Sequence, residues 1–210
     1  MANRGESTNS RAAAVARGRW LEWATVGWNL LEGAVSLVAG VSAGSISLVG
    51  FGFDSLIEVA SGGALLWRME ADADPERRER AERTSLRIVG VCFLLLAAYL
   101  LVDSAWSIVQ HEIPRRSPLG IAITAAALVM MPVLAKAKRR TGRELQSAAM
   151  EADSKQTEFC MYLSAIVLGG LALNATLGWW WSDPVAALVM VPIIAREGIQ
   201  GLKAKKCNCH

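Results

Sequence analysis

Six long apolar stretches alternate with polar or charged segments along the chain. They cover residues 20–42, 45–67, 87–109, 118–135, 152–177 and 183–202. A helix needs about 20 mostly apolar residues to cross a bilayer, and each stretch comes close to or exceeds that length. In lipid, such a segment must satisfy its own backbone hydrogen bonds, which a helix does. The pattern therefore predicts an all-α, polytopic membrane protein built as a bundle of six transmembrane helices.

The basic residues divide unevenly between the two ends of this predicted bundle. Of the 22 Lys and Arg residues, 20 lie before the first stretch, around the connections between the second and third and between the fourth and fifth, or at and beyond the end of the sixth. Only Arg115 and Arg116 fall on the other side. Because cytoplasmic loops carry an excess of basic residues, both termini are predicted to be cytoplasmic. An odd number of transmembrane helices would put the two termini on opposite sides of the membrane, and the basic residues would no longer collect on one side.

Composition agrees with a membrane location. The chain is 53% hydrophobic with a mean hydropathy of +0.31, which indicates a bacterial-type inner membrane or a plasma membrane. The net charge of +3 follows from topology and does not indicate nucleic-acid binding. Residues 1–19 are rich in Ser, Ala and Arg and are predicted to form a disordered basic tail. Residues 20–203 form the membrane domain, and residues 204–210 form a short tail.

Two acids lie inside the second apolar stretch. Asp54 and Glu58 are four residues apart, so a helix projects both from one face, about 40° and 6 Å apart. An ionised group at this depth costs several kcal/mol unless a partner, water or an ion is present. Either one acid holds a proton or a cation lies between them, which is the chemistry of a proton-coupled cation carrier. The alternative is a pair of protonated acids bonded to neighbouring helices.

Further ligands must come from another helix, because a tetrahedral metal ion needs four ligands and Asp54 and Glu58 supply two. The fifth stretch places Asp153, Gln156 and Cys160 on a single helix face by their spacing of three and four. Glu58 lies about 20 Å below the outer end of its helix and Cys160 about 25 Å below the outer end of its own, at 1.5 Å per residue. The two sets are thus predicted to lie at similar depths.

Other acids also fall within the apolar stretches. Glu32 shares a predicted helix face with Asn29 and is interpreted as a further ligand, a proton relay or a buried acid bonded to Asn29. Asp103 and Asp183 are weaker candidates. Asp183 precedes Pro184 and is predicted to cap the N-terminus of its own helix.

The chain resembles the membrane domain of the cation diffusion facilitator, or cation efflux, family. The resemblance rests on "GSISLVGFGFDSLIEVAS", "EADSKQTEFCMYLSAIVLGG" and "WWSDPVAALVM" and covers about residues 20–203. It implies a metal site of four ligands, of which the acidic pair maps onto Asp54 and Glu58. The family's His-x-x-x-Asp pair maps onto Gln156 and Cys160. Asp153 is a substitute for Gln156, because a neutral amide is a poor ligand for a divalent transition metal.

The family likeness also carries expectations about assembly. A cytoplasmic domain that many members carry after the sixth helix is absent here, so a homodimer would form through the transmembrane helices. Gly62, Gly63, Gly169 and Gly170 would permit close helix approach, or would serve only packing within one chain. Cys207, Cys209 and His210 form a second candidate metal site in the tail.

We therefore expect a transporter and not an enzyme, since no hydrolase or phosphate-loop pattern occurs. The expected activity is proton-coupled efflux of a divalent transition metal from the cytoplasm by alternating access. A thiolate ligand favours soft ions, so zinc is the first choice and cadmium, cobalt, iron, manganese and mercury are alternatives. The expected partners are the metal ion, protons, the bilayer and a second copy of the chain, with no nucleic acid. The competing functions are a non-transporting, metal-binding or regulatory subunit and metal uptake.

Overall fold

In the part of the chain that the structure describes, the fold consists of six helices. The computed structural model describes residues 3–70, 75–145 and 148–203, and contains no strand within them. The helices are α1 (Asn3–Ala43), α2 (Ile46–Glu70), α3 (Pro75–Gln110), α4 (Pro118–Leu145), α5 (Ala148–Leu177) and α6 (Ser182–Lys203). The predicted all-α class is confirmed.

Glycine and serine residues set the helix ends at one side of the bundle. Gly44 follows α1 with a φ of 65°, and Ser45 N–H donates to the carbonyl of Gly40, which closes a Schellman motif. Gly178 ends α5 in the same left-handed conformation, with a φ of 67°. Ser45 then caps α2, because its Oγ accepts from the backbone N–H of Leu48 at 3.2 Å. These tight turns explain why only two residues separate α1 from α2.

The helices extend beyond the apolar stretches at the opposite side of the bundle. α1 begins at Asn3, so the helix includes most of the segment for which a disordered tail is predicted. The physical reason is that Ala and Arg have high intrinsic helix propensity. α4 likewise continues through the basic segment to Leu145. Residues 204–210 lie outside the described residues.

α2 occupies a central position in the bundle. It packs most extensively against α1 and also contacts α3, α5 and α6. The other extensive pairs are α4 with α5 and α3 with α6. In the α3–α6 pair the backbones approach closely, since a Cβ added at Gly90 would lie 2.8 Å from the carbonyl oxygen of Gly198. α2 is therefore placed to contribute side chains to a site inside the bundle.

Apolar side chains lie on the surface of the bundle and charged side chains lie inside it, which is the reverse of the arrangement in a water-soluble protein. Large apolar side chains such as Val41, Val102 and Val109 are about 70% exposed, whereas acids and an ammonium group are buried. Five stretches within the described residues are long and apolar enough to cross a membrane: Ala13–Ala43, Arg87–Gln110, Pro118–Leu145, Asp153–Leu177 and Ser182–Lys203. The chain is thus an integral, multi-pass membrane protein.

α2 is not among those five within the residues described. Asp54 and Glu58 interrupt an otherwise apolar stretch of α2. Its packing among α1, α3, α5 and α6 nevertheless places it inside the same bundle. The interruption is therefore better explained by a buried polar site than by an extramembrane helix.

Asp183 caps a different helix from the one predicted. It lies within α6, and its carboxylate accepts hydrogen bonds from Ser45 Oγ at 2.6 Å, Ser47 Oγ at 2.5 Å and the Ile46 N–H at 2.8 Å. The prediction that it caps α6 is therefore wrong. The free N–H groups at the start of α2 attract the carboxylate across the helix interface. Asp183 thus ties α6 to α2 at the end that carries the short turns.

Candidate metal centre

Asp54, Glu58 and Cys160 meet inside the bundle. One carboxylate oxygen of each acid and the sulfur of Cys160 all lie within 4.8 Å of one another. The four-residue spacing on α2 directs both acids toward α5, where Cys160 faces them. All three side chains are buried, with exposed fractions of 6% or less. The sequence prediction that these three residues converge agrees with this geometry.

Several oxygens of this cluster lack hydrogen bonds. Glu58 Oε2 accepts from Nδ2 of Asn29 at 2.7 Å. Glu58 Oε1 and both oxygens of Asp54 accept no hydrogen bond of normal geometry from any described group. Leaving buried polar atoms unpaired costs about 1–3 kcal/mol each, and more for a charge. Two carboxylates and a thiolate at this separation can satisfy those atoms by binding a cation.

Glu32 lies beside the three residues but outside the group. Its Oε1 accepts from Ser55 Oγ at 2.8 Å and from the Cys160 thiol at 3.6 Å, and its Oε2 accepts from Trp28 Nε1 at 2.5 Å. Of the roles predicted for Glu32, a bond to Asn29 is not made in this structure, because Asn29 donates to Glu58 instead. Glu32 therefore contacts the three-residue group through its hydrogen bond from the Cys160 thiol.

Gln156 and Asp153 are not part of the three-residue group. The amide oxygen of Gln156 accepts from Ser61 Oγ at 3.1 Å, and its Nε2 has no partner among the described residues. Asp153 instead accepts a short hydrogen bond from Lys138. Gln156 and Cys160 therefore share one face of α5, whereas Asp153 is paired with the ammonium group of Lys138.

Sequence reasoning missed an ion triad on this side of the site. Lys138 on α4 donates to Glu22 on α1, with 3.0 Å between Nζ and Oε2, as well as to Asp153 on α5. Lys138 and Glu22 are 1% and 0% exposed. In the sequence, Lys138 is one of the 20 basic residues that predict the cytoplasmic side of the bundle, and no partner is predicted for it. The available signal was the spacing of polar residues along the first apolar stretch: Glu22, Thr25, Asn29, Glu32 and Ser36, all buried on one face of α1.

A small cavity lies between the triad and the three-residue group. Its lining includes Glu58 and Asn29 as well as Lys138 and Asp153. Gln156 also contributes to its wall. The other candidate metal site, formed by Cys207, Cys209 and His210, lies outside the described residues.

Comparison with known proteins decides the family. The sequence profile of the cation efflux transmembrane domain matches residues 23–204, which is most of the chain. The chain belongs to the cation efflux family. The resemblance inferred from the motifs is thereby confirmed.

Several curated proteins are similar to this cation efflux protein. It is 29% identical to "Uncharacterized transporter sll1263" of Synechocystis over 174 residues, and this alignment covers 78% of this chain and 55% of that protein. It is 27% identical to "Cation-efflux pump FieF" of Shewanella oneidensis over 106 residues, and this alignment covers 50% of this chain and 36% of that protein. It is also 24% identical to "Transmembrane protein 163" of Xenopus laevis over 200 residues, and this alignment covers 93% of this chain and 68% of that protein.

The chain spans about half or less of the length of the first two relatives. The family match identifies the transmembrane domain of a cation efflux protein. It leaves the metal, the coupling ion and the oligomeric state to be argued from the residues of this chain.

Proposed function

We propose that this protein exports a divalent, thiophilic transition metal from the cytoplasm in exchange for protons. Zinc is the first choice of substrate, with cadmium, cobalt, iron, manganese and mercury as alternatives. The observation that carries the proposal is the convergence of Asp54, Glu58 and Cys160 within 4.8 Å in the interior of the bundle. Two oxygens and one sulfur favour zinc-like or softer ions over magnesium or calcium, which prefer oxygen alone.

Proton exchange follows from the chemistry of the same three groups. A cysteine binds metal as a thiolate, and a carboxylate binds metal only when it is deprotonated. In the metal-free protein, the carboxyl groups of Asp54 and Glu58 can reduce their mutual repulsion by taking up a proton. Metal binding then releases protons, and metal release takes them up. Alternating exposure of the group to the two sides converts this competition into antiport.

Gln156 or a water molecule completes the set of four ligands in this proposal, and Glu32 supports Cys160. Gln156 lies one helical turn from Cys160 and is held by Ser61. Glu32 lies within hydrogen-bond reach of the Cys160 sulfur and positions it. A tetrahedral ion bound to Asp54, Glu58 and Cys160 needs one more ligand, which Gln156 or a water molecule supplies.

Flux measurements in proteoliposomes test the proposal. Uptake of Zn, Cd, Co, Fe, Mn and Hg is measured under an imposed pH gradient, with the lumen acidic. We expect flux that depends on the gradient and is lost in Asp54→Asn. Asp103→Asn is the matched control, because Asp103 is another acid in a membrane-spanning helix but is not part of the three-residue group. Flux that persists in Asp54→Asn would place the transport site elsewhere.

The same experiment separates the competing functions. Metal binding without flux by the wild-type protein would support a non-transporting, metal-binding subunit. Flux coupled to the opposite proton gradient would support uptake.

Assembly as a homodimer through the transmembrane helices is part of the proposal. Gly62 and Gly170 pack within the chain, since an added Cβ would lie 3.0 Å from Val26 and 2.7 Å from Ala186, respectively. Gly63 and Gly169 meet no described atom within 4 Å, which leaves them available for contact with a second copy. Cross-linking through cysteines introduced at these two positions would test the interface.

A further inference from the structure

The triad of Lys138, Glu22 and Asp153 joins three helices at a position between the candidate metal group and one end of the bundle. Glu22 lies on α1, Lys138 on α4 and Asp153 on α5. Glu22 and Lys138 are almost completely buried, and Asp153 is 11% exposed. Asp153 precedes Cys160 by seven residues on α5, which puts the triad about 10 Å nearer to that end than Cys160 is. One small cavity is lined by Lys138, Asp153 and Glu58 alike.

The charges of the triad favour exchange of one cation for another. Two carboxylates face one ammonium group, so their formal charges leave a net negative charge in a buried position. Glu22 Oε1 accepts no hydrogen bond within the described residues, so this carboxylate is only partly satisfied by Lys138. Removing an ion from water is costly, and carboxylates with a free oxygen reduce that cost for an incoming divalent cation.

The chemical nature of Lys138 suits a group that moves. Lysine carries a compact charge on a flexible four-carbon stem, whereas arginine presents a rigid planar fork that holds two oxygens at once. The ammonium group can leave the two carboxylates by rotation of its side chain. It can return when the cation has passed.

We propose that Lys138 is a tethered cation that gates the ion route between the basic end of the bundle and the group formed by Asp54, Glu58 and Cys160. In the present structure it bridges Glu22 and Asp153 and holds α1, α4 and α5 together. An incoming metal displaces the ammonium group, binds transiently to the two carboxylates and then reaches Glu58 through the cavity. The inference rests on the proposed transport function.

Access to the Cys160 thiol measures the state of this gate directly. A membrane-impermeant, cationic methanethiosulfonate is applied to oriented vesicles from either side, in a background in which Cys92, Cys207 and Cys209 are replaced by Ser. We expect Lys138→Met to raise the labelling rate of Cys160 from the Lys138 side by at least about tenfold, because breaking a buried ion pair shifts the opening equilibrium by that much or more. Labelling from the other side should remain unchanged.

Lys138→Arg is the matched control, since it keeps the charge and its planar fork can hold both carboxylates, so Cys160 should be labelled no faster than in the wild type. Lys138→Met leaves Glu22 and Asp153 facing each other without a counter-charge and can destabilise the fold. A triple variant, Glu22→Gln with Lys138→Met and Asp153→Asn, removes all three charges and should show the same increase in labelling. Unchanged labelling in either variant that runs as a monodisperse, folded protein would overturn the proposal.

The gate and the transport function fail in different ways. Absence of metal flux in wild-type proteoliposomes would contradict the transport function, whatever the labelling rates. Proton-coupled flux by the wild type together with labelling of Cys160 that does not depend on Lys138 would contradict the gate alone.

Discussion

The Cys160 thiol on α5 donates to Oε1 of Glu32 on α1, with 3.6 Å between sulfur and oxygen. Glu32 is held by two further donors, Ser55 and Trp28, so its carboxylate has a fixed position beside the metal group. Asp54, in contrast, accepts no hydrogen bond of normal geometry within the described part of the chain. This difference predicts that the two acids contribute differently to metal binding.

Glu32→Gln should weaken metal binding less than Asp54→Asn does. Loss of a group that supports a ligand typically costs about 10- to 100-fold in affinity, so we expect a reduction in that range for Glu32→Gln and a larger one for Asp54→Asn. Equilibrium dialysis with Zn and Cd would measure both. An equal loss in the two variants would assign Glu32 a direct place in the coordination shell.

Cys160→Ser should change which metals bind. A thiolate favours cadmium and zinc, whereas a hydroxyl is a weak, hard ligand. We therefore expect the variant to lose more affinity for cadmium than for cobalt or manganese. Competition binding among these ions measures the ratio, with Cys92→Ser as the control because Cys92 lies on α3 and is not part of the metal group. The same proportional loss for every ion would show that sulfur does not set selectivity.

Asp183→Asn should lower stability without changing metal selectivity. The substitution weakens the buried hydrogen bonds to Ser45, Ser47 and the start of α2. Loss of a buried charged acceptor of this kind costs about 1–3 kcal/mol. Thermal unfolding in detergent measures the change, and Glu112→Gln is the control because Glu112 is exposed at the same end of the bundle. Equal melting temperatures for the two variants would contradict the tie between α6 and α2.

Gly90→Ala should destabilise the contact between α3 and α6. The added Cβ would lie 2.8 Å from the carbonyl oxygen of Gly198 and 3.0 Å from the backbone nitrogen of Leu202, so the two helices would have to separate. Overpacking of this kind costs about 1–3 kcal/mol. Gly27→Ala is the matched helical control, because Gly27 lies within α1 and an added Cβ meets no described atom within 4 Å.

The control also makes a prediction of opposite sign. Ala exceeds Gly in helix propensity by about 1 kcal/mol, so Gly27→Ala should leave the melting temperature unchanged or raise it. If Gly90→Ala were as stable as Gly27→Ala, the close approach of α3 and α6 would not contribute to stability.

Much of the fold was readable from the sequence, because hydrophobic length reports directly on the thickness of the bilayer. The predicted start of the fourth stretch at residue 118 and the predicted end of the fifth at residue 177 coincide with the bounds of α4 and α5. The charged ends could not be placed in this way. Polar residues such as those at 136–145 are compatible with either a loop or a helix, and local propensity decided for a helix.

The candidate site was predictable where periodicity within one helix was sufficient. The spacing of Asp54 and Glu58, and of Gln156 and Cys160, follows from 3.6 residues per turn. The partner of a buried charge depends on which helices become neighbours, and a single sequence does not encode that neighbour in its spacing. The caps formed by Asp183 and the ion pairs of Lys138 were missed for this reason.

X-ray absorption spectroscopy of the zinc-loaded protein tests the central claim most directly. The measurement uses a background in which Cys207 and Cys209 are replaced by Ser, so that the tail contributes no sulfur. The account predicts one sulfur neighbour at about 2.3 Å with oxygen or nitrogen neighbours at about 2.0–2.2 Å, and loss of the sulfur signal in Cys160→Ser. A zinc shell without sulfur, or a sulfur signal that persists in Cys160→Ser, would contradict it.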